Sequence, residues 1–137
     1  MRPHYESAGD TTREMRVAAQ AARVWGMVKK LPFDYRADFV FLQDGVVSFF
    51  AEVKVRSETY DPFWISLKKW MALEALSIEA RRPSLIIVQW PDEPLAYVPV
   101  LPSSKLAQMV WGGRADRGDA QDSEVMVQIP LSKFKRV

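Results

Sequence analysis

Residues 35–56 read YRADFVFLQDGVVSFFAEVKVR, and this stretch decides the fold. Two runs rich in β-branched and aromatic residues, 35–42 and 46–56, flank the turn-forming segment QDG at 43–45. That pattern predicts a β-hairpin. Both strands are apolar on both faces, as expected for central strands of a sheet that is covered on either side.

Two helices are predicted around the hairpin. Thr11 followed three residues later by Glu14 matches a capping box, which predicts a helix from Thr11 to about Leu31. Asp61 and Pro62 suit the N-cap and first position of a second helix, which we expect to run to about Ala80.

The rest of the chain predicts more strands than helices. The remaining elements are strands at 84–90, 95–100 and 124–129 and a short helix at 103–111. The order α-β-β-α-β-β-(α)-β predicts an α/β protein with one central mixed β-sheet flanked by helices.

The length of 137 residues fits a single domain spanning 1–137. Within it we expect a polar N-terminal segment at 1–10, a polar loop at 112–124 and a basic tail at 131–137. The chain has no apolar run of membrane-spanning length, and its start lacks the apolar core of a signal peptide. We therefore expect a soluble, cytoplasmic protein with no membrane partner.

Composition excludes several kinds of catalytic site. The chain has no cysteine and one histidine, so a thiolate metal site, a cysteine nucleophile and a multi-histidine zinc site are ruled out. Catalysis would have to use carboxylates, lysines, hydroxyls or a metal held by oxygen ligands. The formal net charge of +2 does not by itself indicate binding to nucleic acid.

Three charged residues lie inside the apolar hairpin, namely Asp38, Glu52 and Lys54. An unpaired buried charge costs several kcal/mol, so such groups persist only when they are paired or bind a metal. Alternation along a strand places Glu52 and Lys54 on one face. Asp38 shares that face if the loop is odd in length, which sets it opposite Phe50, or if a bulge restores the register; a two-residue loop would set it opposite Ala51.

The spacing of Asp38 and the triplet Glu52-Val53-Lys54 resembles the PD-(D/E)XK nuclease superfamily, in particular its small Holliday-junction-resolvase-like and phage-type members. The resemblance covers residues 11–90 and implies a restriction-endonuclease-like αβββαβ core. Where the family name has proline, this chain has Ala37. For a phage-encoded protein the location implied is the host cytoplasm.

The resemblance also implies roles for individual residues. Asp38, Glu52 and the backbone carbonyl of Val53 would bind Mg²⁺ or Mn²⁺, which hard oxygen ligands suit. Lys54 would act beside the metal, and Glu14 would match an additional acidic residue on the first helix. Lys68 or Lys69 would match an auxiliary residue on the second helix.

Each of these roles has a structural alternative. Asp38, Glu52 and Lys54 could form an ion pair across the hairpin, and the capping box already explains Glu14. Arg36 and Arg56 would contact phosphate or pair with carboxylates, whereas Lys68 and Lys69 suit a solvated helix face. Two further groups are candidates for DNA contact, the tail Lys133–Arg136 and the side chain of Trp111.

The function that follows is a metal-dependent DNA endonuclease that hydrolyses phosphodiester bonds, with branched or otherwise structured DNA as substrate. The preference for branched DNA and the expectation of a homodimer rest on the resemblance alone. The alternatives are a catalytically inactive DNA-binding or assembly module of the same fold, and an exonuclease or nuclease subunit.

Overall fold

A computed structural model of the chain describes residues 8–101, 108–113 and 123–137. Its two helices are α1 (Ala8–Trp25) and α2 (Leu67–Ala80). In chain order, the strands are β1 (Met27–Lys30), β2 (Phe39–Gln43), β3 (Val46–Val55), β4 (Phe63–Ser66), β5 (Ser84–Gln89), β6 (Ala96–Pro99), β7 (Gln108–Gly113), β8 (Ser123–Ile129) and β9 (Lys135–Arg136).

The predicted mixed sheet is confirmed as a six-stranded sheet in the order β1-β2-β3-β5-β6-β9. Strands β3 and β5 are parallel, and the other neighbours are antiparallel. The elements α1, β1, β2, β3, α2 and β5 supply the αβββαβ core implied by the resemblance. A separate antiparallel sheet, β4-β8-β7, was not predicted.

The two faces of the large sheet are covered by different elements. Helix α1 packs on the face that carries Ala51 and Val53 of β3. Helix α2 and the small sheet cover the other face, where Leu73 of α2 packs with Ile86 and with residues of β8. Glu52 and Lys54 therefore face α2, since side chains alternate along a strand.

Of the two ways expected to set the hairpin register, an odd-length loop or a bulge, the structure contains the bulge. Asp44 and Gly45, with φ of 52° and 78°, form a two-residue turn closed by the pair Gln43 and Val46. A β-bulge follows, because Leu42 pairs with Val47 whereas Phe41 pairs with Phe49.

The bulge brings Asp38 onto the face of the hairpin that carries Glu52 and Lys54. The shifted register pairs Phe39 with Ala51, so that the next residue, Asp38, comes level with Glu52 rather than with Phe50. One inserted residue in β3 therefore corrects the parity that a two-residue turn would have given.

The bounds of the first helix were predicted wrongly. Helix α1 begins at Ala8, so Thr11 lies inside it and is not the N-cap. It ends before Gly26, whose φ is +103° and whose missing Cβ would lie 2.8 Å from the carbonyl oxygen of Leu42. Residues 27–30, expected to be helical, form strand β1 against β2.

The second helix begins five residues later than predicted. Ser66 is its N-cap, with the side-chain oxygen accepting the Lys69 N–H at 3.1 Å. Asp61 instead accepts the N–H of Leu131 at 3.2 Å. Residues 63–66 form β4 because pairing with β8 buries Phe63 and Ile65. The predicted end at Ala80 is confirmed.

The last third of the chain contains one wrong helix. Residues 108–111, expected to end a helix, lie in strand β7, whereas 102–107 fall outside the described residues. The strand expected at 124–129 is confirmed as β8. Most of the polar loop at 112–124 and of the segment 1–10 also falls outside the described residues.

The basic tail is folded rather than free. Residues 131–133 form a 3-10 turn, and β9 pairs with the sheet edge at β6. In the described part of the chain, no helix is long and apolar enough to cross a membrane.

Candidate active site

Charged side chains from three parts of the chain meet beside the N-terminal end of β2. Asp38 comes immediately before β2, Glu52 and Lys54 come from β3, and Lys69 comes from the first turn of α2. The Nζ atoms of Lys54 and Lys69 lie 3.4 Å and 3.3 Å from the two carboxylate oxygens of Glu52. The structure therefore brings together three of the residues identified in the hairpin, and adds one lysine from the helix.

Glu52 is a buried carboxylate with an incompletely satisfied oxygen. The residue is 2% exposed. Its Oε2 atom lies close to Lys69 but off the direction that a hydrogen bond requires, and none of the described residues donates a hydrogen bond to it. A buried oxygen in this state is costly unless a further positive group completes its surroundings.

Asp38 is held in place through its backbone. Its N–H donates to the carbonyl of Ala51 at 3.1 Å, and its carbonyl accepts the N–H of Leu31 at 2.8 Å. Burial raises the pKa of its carboxyl from 3.8 to about 6, and the negative charge of Glu52 contributes to the rise in this pKa. The lysines Lys54, Lys69 and Lys30 act in the opposite direction. Asp38 and Glu52 are therefore electrostatic neighbours in a poorly solvated place.

The backbone of Val53 presents its polar groups towards the same place. Phe50 and Arg56 donate their N–H groups to the β5 side, to Pro83 and Gln89, each at 2.9 Å. Alternate residues of a strand direct their N–H and carbonyl groups to opposite edges. The carbonyl of Val53 therefore points towards the side of β3 that pairs with β2. It lies beyond Phe39, the first residue of β2.

Glu14 is not brought to this group. Helix α1 packs on the opposite face of β3, and among the described residues no set of three acidic or histidine side chains is arranged to hold a metal ion. The catalytic role of Glu14 stays a prediction that the geometry does not support.

The four basic candidates for DNA contact have different surroundings. Lys69 lies in the site and also approaches the carbonyl of Arg36 at 3.4 Å, whereas Lys68 points to solvent. Arg36 pairs with Glu79 at 2.9 Å, which is the carboxylate alternative. The guanidinium of Arg56 lies over the ring of Phe63, 5.1 Å from its centroid. Contact of any of them with DNA stays a prediction.

One lysine of the site was missed from the sequence. Lys30 of β1 places its Nζ 3.9 Å from Asp38 Oδ1 and 5.1 Å from the centroid of the Phe39 ring. It was assigned to a helix, where it would not have been a neighbour of the hairpin. The glycine at position 26 was the available signal, because glycine just after an apolar stripe is a helix stop.

The residues of this site fit one divalent metal ion. Asp38, Glu52 and the Val53 carbonyl offer hard oxygen ligands, and the unsatisfied Oε2 of Glu52 is the atom that a cation would complete. The described residues contain no third acidic group in reach, so the donor set suits a single ion that keeps several waters. The three lysines offer positive charge to phosphate oxygens beside it.

Comparisons with known proteins identify the fold and the family of the chain. The structure of Hjc, a Holliday junction resolvase from the archaeal hyperthermophile Archaeoglobus fulgidus, superposes with a TM-score of 0.62 at 13% sequence identity, covering 91% of this chain and 92% of that one. At this identity the likeness shows a common fold. A comparison with curated protein sequences gave no match. The profile of one family, described as "Phage putative PDDEXK endonuclease", matches residues 1–137. The chain therefore belongs to the phage PDDEXK endonuclease family.

Proposed function

We propose that this protein is a metal-dependent DNA endonuclease that cleaves branched DNA, with Asp38, Glu52 and Lys54 as its catalytic residues. The observation that carries the proposal is the buried carboxylate of Glu52, which has one unsatisfied oxygen and lies beside Asp38 at the end of β2. Membership of an endonuclease family makes DNA the expected substrate class.

In this proposal Asp38, Glu52 and the carbonyl of Val53 hold one Mg²⁺ or Mn²⁺ ion. The ion would supply positive charge next to the phosphodiester and make water more acidic. The residues of the chain do the remaining work. The carboxylates of Asp38 and Glu52 bind the ion and fix its position. The ammonium of Lys54, 3.4 Å from Glu52, places a compact charge where negative charge develops on the phosphate. Lys69 and Lys30 add positive charge that attracts the strand.

Branched DNA as substrate and a homodimer as the active form are proposed on the fold. One protein of similar fold, Hjc, is a Holliday junction resolvase. Cuts in two strands suit two copies of a chain in which the proposed site holds a single ion. An intracellular location is proposed on membership of a phage nuclease family.

The test is cleavage of a four-way junction, a forked duplex and a linear duplex in Mg²⁺, in Mn²⁺ and in EDTA. We expect junction cleavage that needs the metal, and a loss of at least about 100-fold in Glu52→Gln, Asp38→Asn and Lys54→Met. Lys29→Met, which changes an exposed lysine outside the site, should retain activity. Undiminished cleavage in the three site variants would exclude this active site.

The second candidate function is a DNA-binding module without catalysis. The two lysines that already flank Glu52 favour it, because an ion-pair network needs no metal. It predicts that the wild-type protein binds DNA and cleaves none of the three substrates in either metal.

A further inference from the structure

A cavity of about 480 Å³ lies beyond the active-site end of β3. This volume is in the range of about 300–1,000 Å³ that sites for small organic ligands have. It opens between the end of β3 and the small sheet, and its walls combine aromatic with charged side chains. The lining includes Arg56, Glu58, Tyr60, Phe63, Trp64 and Trp90.

The floor of the cavity is rigid. Phe63 and Trp90 are buried and meet edge to face, with ring centroids 6.2 Å apart, and Phe134 packs against both rings. The guanidinium of Arg56 lies over Phe63. Edge-to-face packing fixes the orientation of each ring, so the floor is formed before any ligand binds.

The rim carries two aromatic side chains with exposed surfaces. Tyr60 is 68% exposed and Trp64 is 38% exposed, and the Trp64 ring lies against Gly112, where a Cβ would be only 2.5 Å away. The Tyr60 hydroxyl donates a hydrogen bond to Glu58, which fixes its ring at the rim. Exposed aromatic faces held in this way are stacking surfaces for flat rings.

The charges of the lining determine which flat ring fits. One cation, Arg56, is present with two carboxylates, Glu58 and Asp61, so the interior does not attract a phosphate. Both carboxylates are hydrogen-bond acceptors, and a nucleobase is an uncharged flat ring with N–H donors on its edge. An unpaired base is therefore the part of a nucleic acid that suits this cavity.

The cavity is also in line with the active site. Arg56 follows β3 directly and continues its pairing with β5, so it shares a face with Glu52 and Lys54. The strand rise of about 3.3 Å per residue puts Arg56 about 13 Å from Glu52. That distance is about four nucleotide steps along one strand of a duplex.

We propose that this cavity binds one unpaired nucleobase of the DNA, within about four nucleotides of the cleaved phosphate, between Tyr60 and Trp64. This inference rests on the proposed function, which makes DNA the nucleic acid that is bound. It gives the enzyme a structural reason to prefer branched or frayed DNA, because only an unpaired base is free to leave its stack at low cost.

The test is binding of fluorescent DNA in EDTA, so that it does not depend on cleavage. Tyr60→Ala should weaken binding of a forked substrate with unpaired bases roughly 5- to 100-fold and leave binding of a fully paired duplex unchanged. Tyr60→Phe, which keeps the ring but loses the hydrogen bond to Glu58, should bind the fork less tightly than the wild type and more tightly than Tyr60→Ala. Phe33→Ala is the matched control, because this aromatic side chain is 73% exposed and does not line the cavity.

An abasic scan of the fork locates the base. In the wild type, an abasic site at one position near the junction should weaken binding of the fork as much as Tyr60→Ala does. The same abasic site should cause no further loss of binding in Tyr60→Ala. Equal loss on fork and duplex, loss in Tyr60→Phe as large as in Tyr60→Ala, or an abasic scan without a sensitive position would overturn the inference. Trp64→Ala should behave as Tyr60→Ala does, with folding checked by circular dichroism because Trp64 packs on Gly112. Fork-selective binding without cleavage would overturn the proposed function and leave this inference standing.

Discussion

Replacing Asp38 with asparagine should make the metal-free protein more stable at neutral pH while removing its cleavage activity. Asparagine keeps the size and the hydrogen-bonding oxygen of aspartate but carries no charge. In the folded protein the charge is unfavourable, because the carboxyl is poorly solvated and lies near Glu52. The stabilised variant would then be the inactive one.

The size of the effect follows from the pKa of Asp38. It is raised from 3.8 to about 6 by burial first and by Glu52 second. Each pKa unit corresponds to about 1.36 kcal/mol, so the shift sets an upper limit of about 3 kcal/mol. We expect about 1–3 kcal/mol, since the side chain is 22% exposed and water relieves part of the penalty.

The pH dependence has a definite sign. Between about pH 4 and pH 6 the folded protein holds the Asp38 proton more tightly than the unfolded chain, so the contribution of this group to stability falls as the pH rises through that window. Below the window both states are protonated, and above it both are ionised and the penalty is complete. The variant should therefore match the wild type near pH 4 and exceed it near pH 7.

The assay is urea unfolding in EDTA at pH 4 and pH 7, with cleavage of the four-way junction measured in Mg²⁺. Asp34→Asn, which changes an exposed carboxylate, is the control and should change the free energy of unfolding by less than about 0.5 kcal/mol. A variant that is less stable than the wild type at pH 7, or equally stabilised at both pH values, would refute the account of Asp38.

Three other perturbations test the site and the fold. Mg²⁺ or Mn²⁺ at ten times its Kd should raise the free energy of unfolding of the wild type by about 1.4 kcal/mol and leave Glu52→Gln unchanged, as measured by urea unfolding with and without metal. Lys69→Met removes the ammonium 3.3 Å from Glu52 and should cost about 1–3 kcal/mol without metal, whereas Lys68→Met should cost less than about 0.5 kcal/mol; equal losses would show that Lys69 does not stabilise Glu52. Gly26→Ala should cost at least about 2 kcal/mol and Gly45→Ala about 1 kcal/mol in thermal unfolding, since both have positive φ but only the first meets a backbone carbonyl; the reverse order would contradict the close approach to Leu42.

The catalytic candidates can be found from the sequence because they break its pattern. Charges within two apolar strands are expensive, so Asp38, Glu52 and Lys54 stand out from the residues around them. Their relation across the hairpin cannot be derived in the same way. It depends on the bulge in β3, and the sequence around Ser48 carries no glycine or other mark of an inserted residue.

The small sheet could not be predicted because its strands satisfy local signals for helices. Asp61 and Pro62 have the chemistry of a helix start, and the spacing of Trp64 and Leu67 continues the apolar stripe of α2. The partner strand β8, distant in sequence, decides between the two conformations by burying Phe63 and Ile65. Lys30 was missed for a related reason, since strand β1 exists only through its pairing with β2.

The two edge strands of the large sheet limit the surfaces through which copies of this protein can associate. An uncovered edge strand is a template on which another chain can extend the sheet, and natural proteins prevent this with short strands and charges. Here the edges are β1, four residues long with Lys29 and Lys30, and β9, two residues long with Lys135 and Arg136. Like charges at both edges repel an approaching second sheet, so copies are kept from joining end to end into a fibre. A paired assembly must use other surfaces, and shortening the chain at β9 would uncover β6 and favour aggregation.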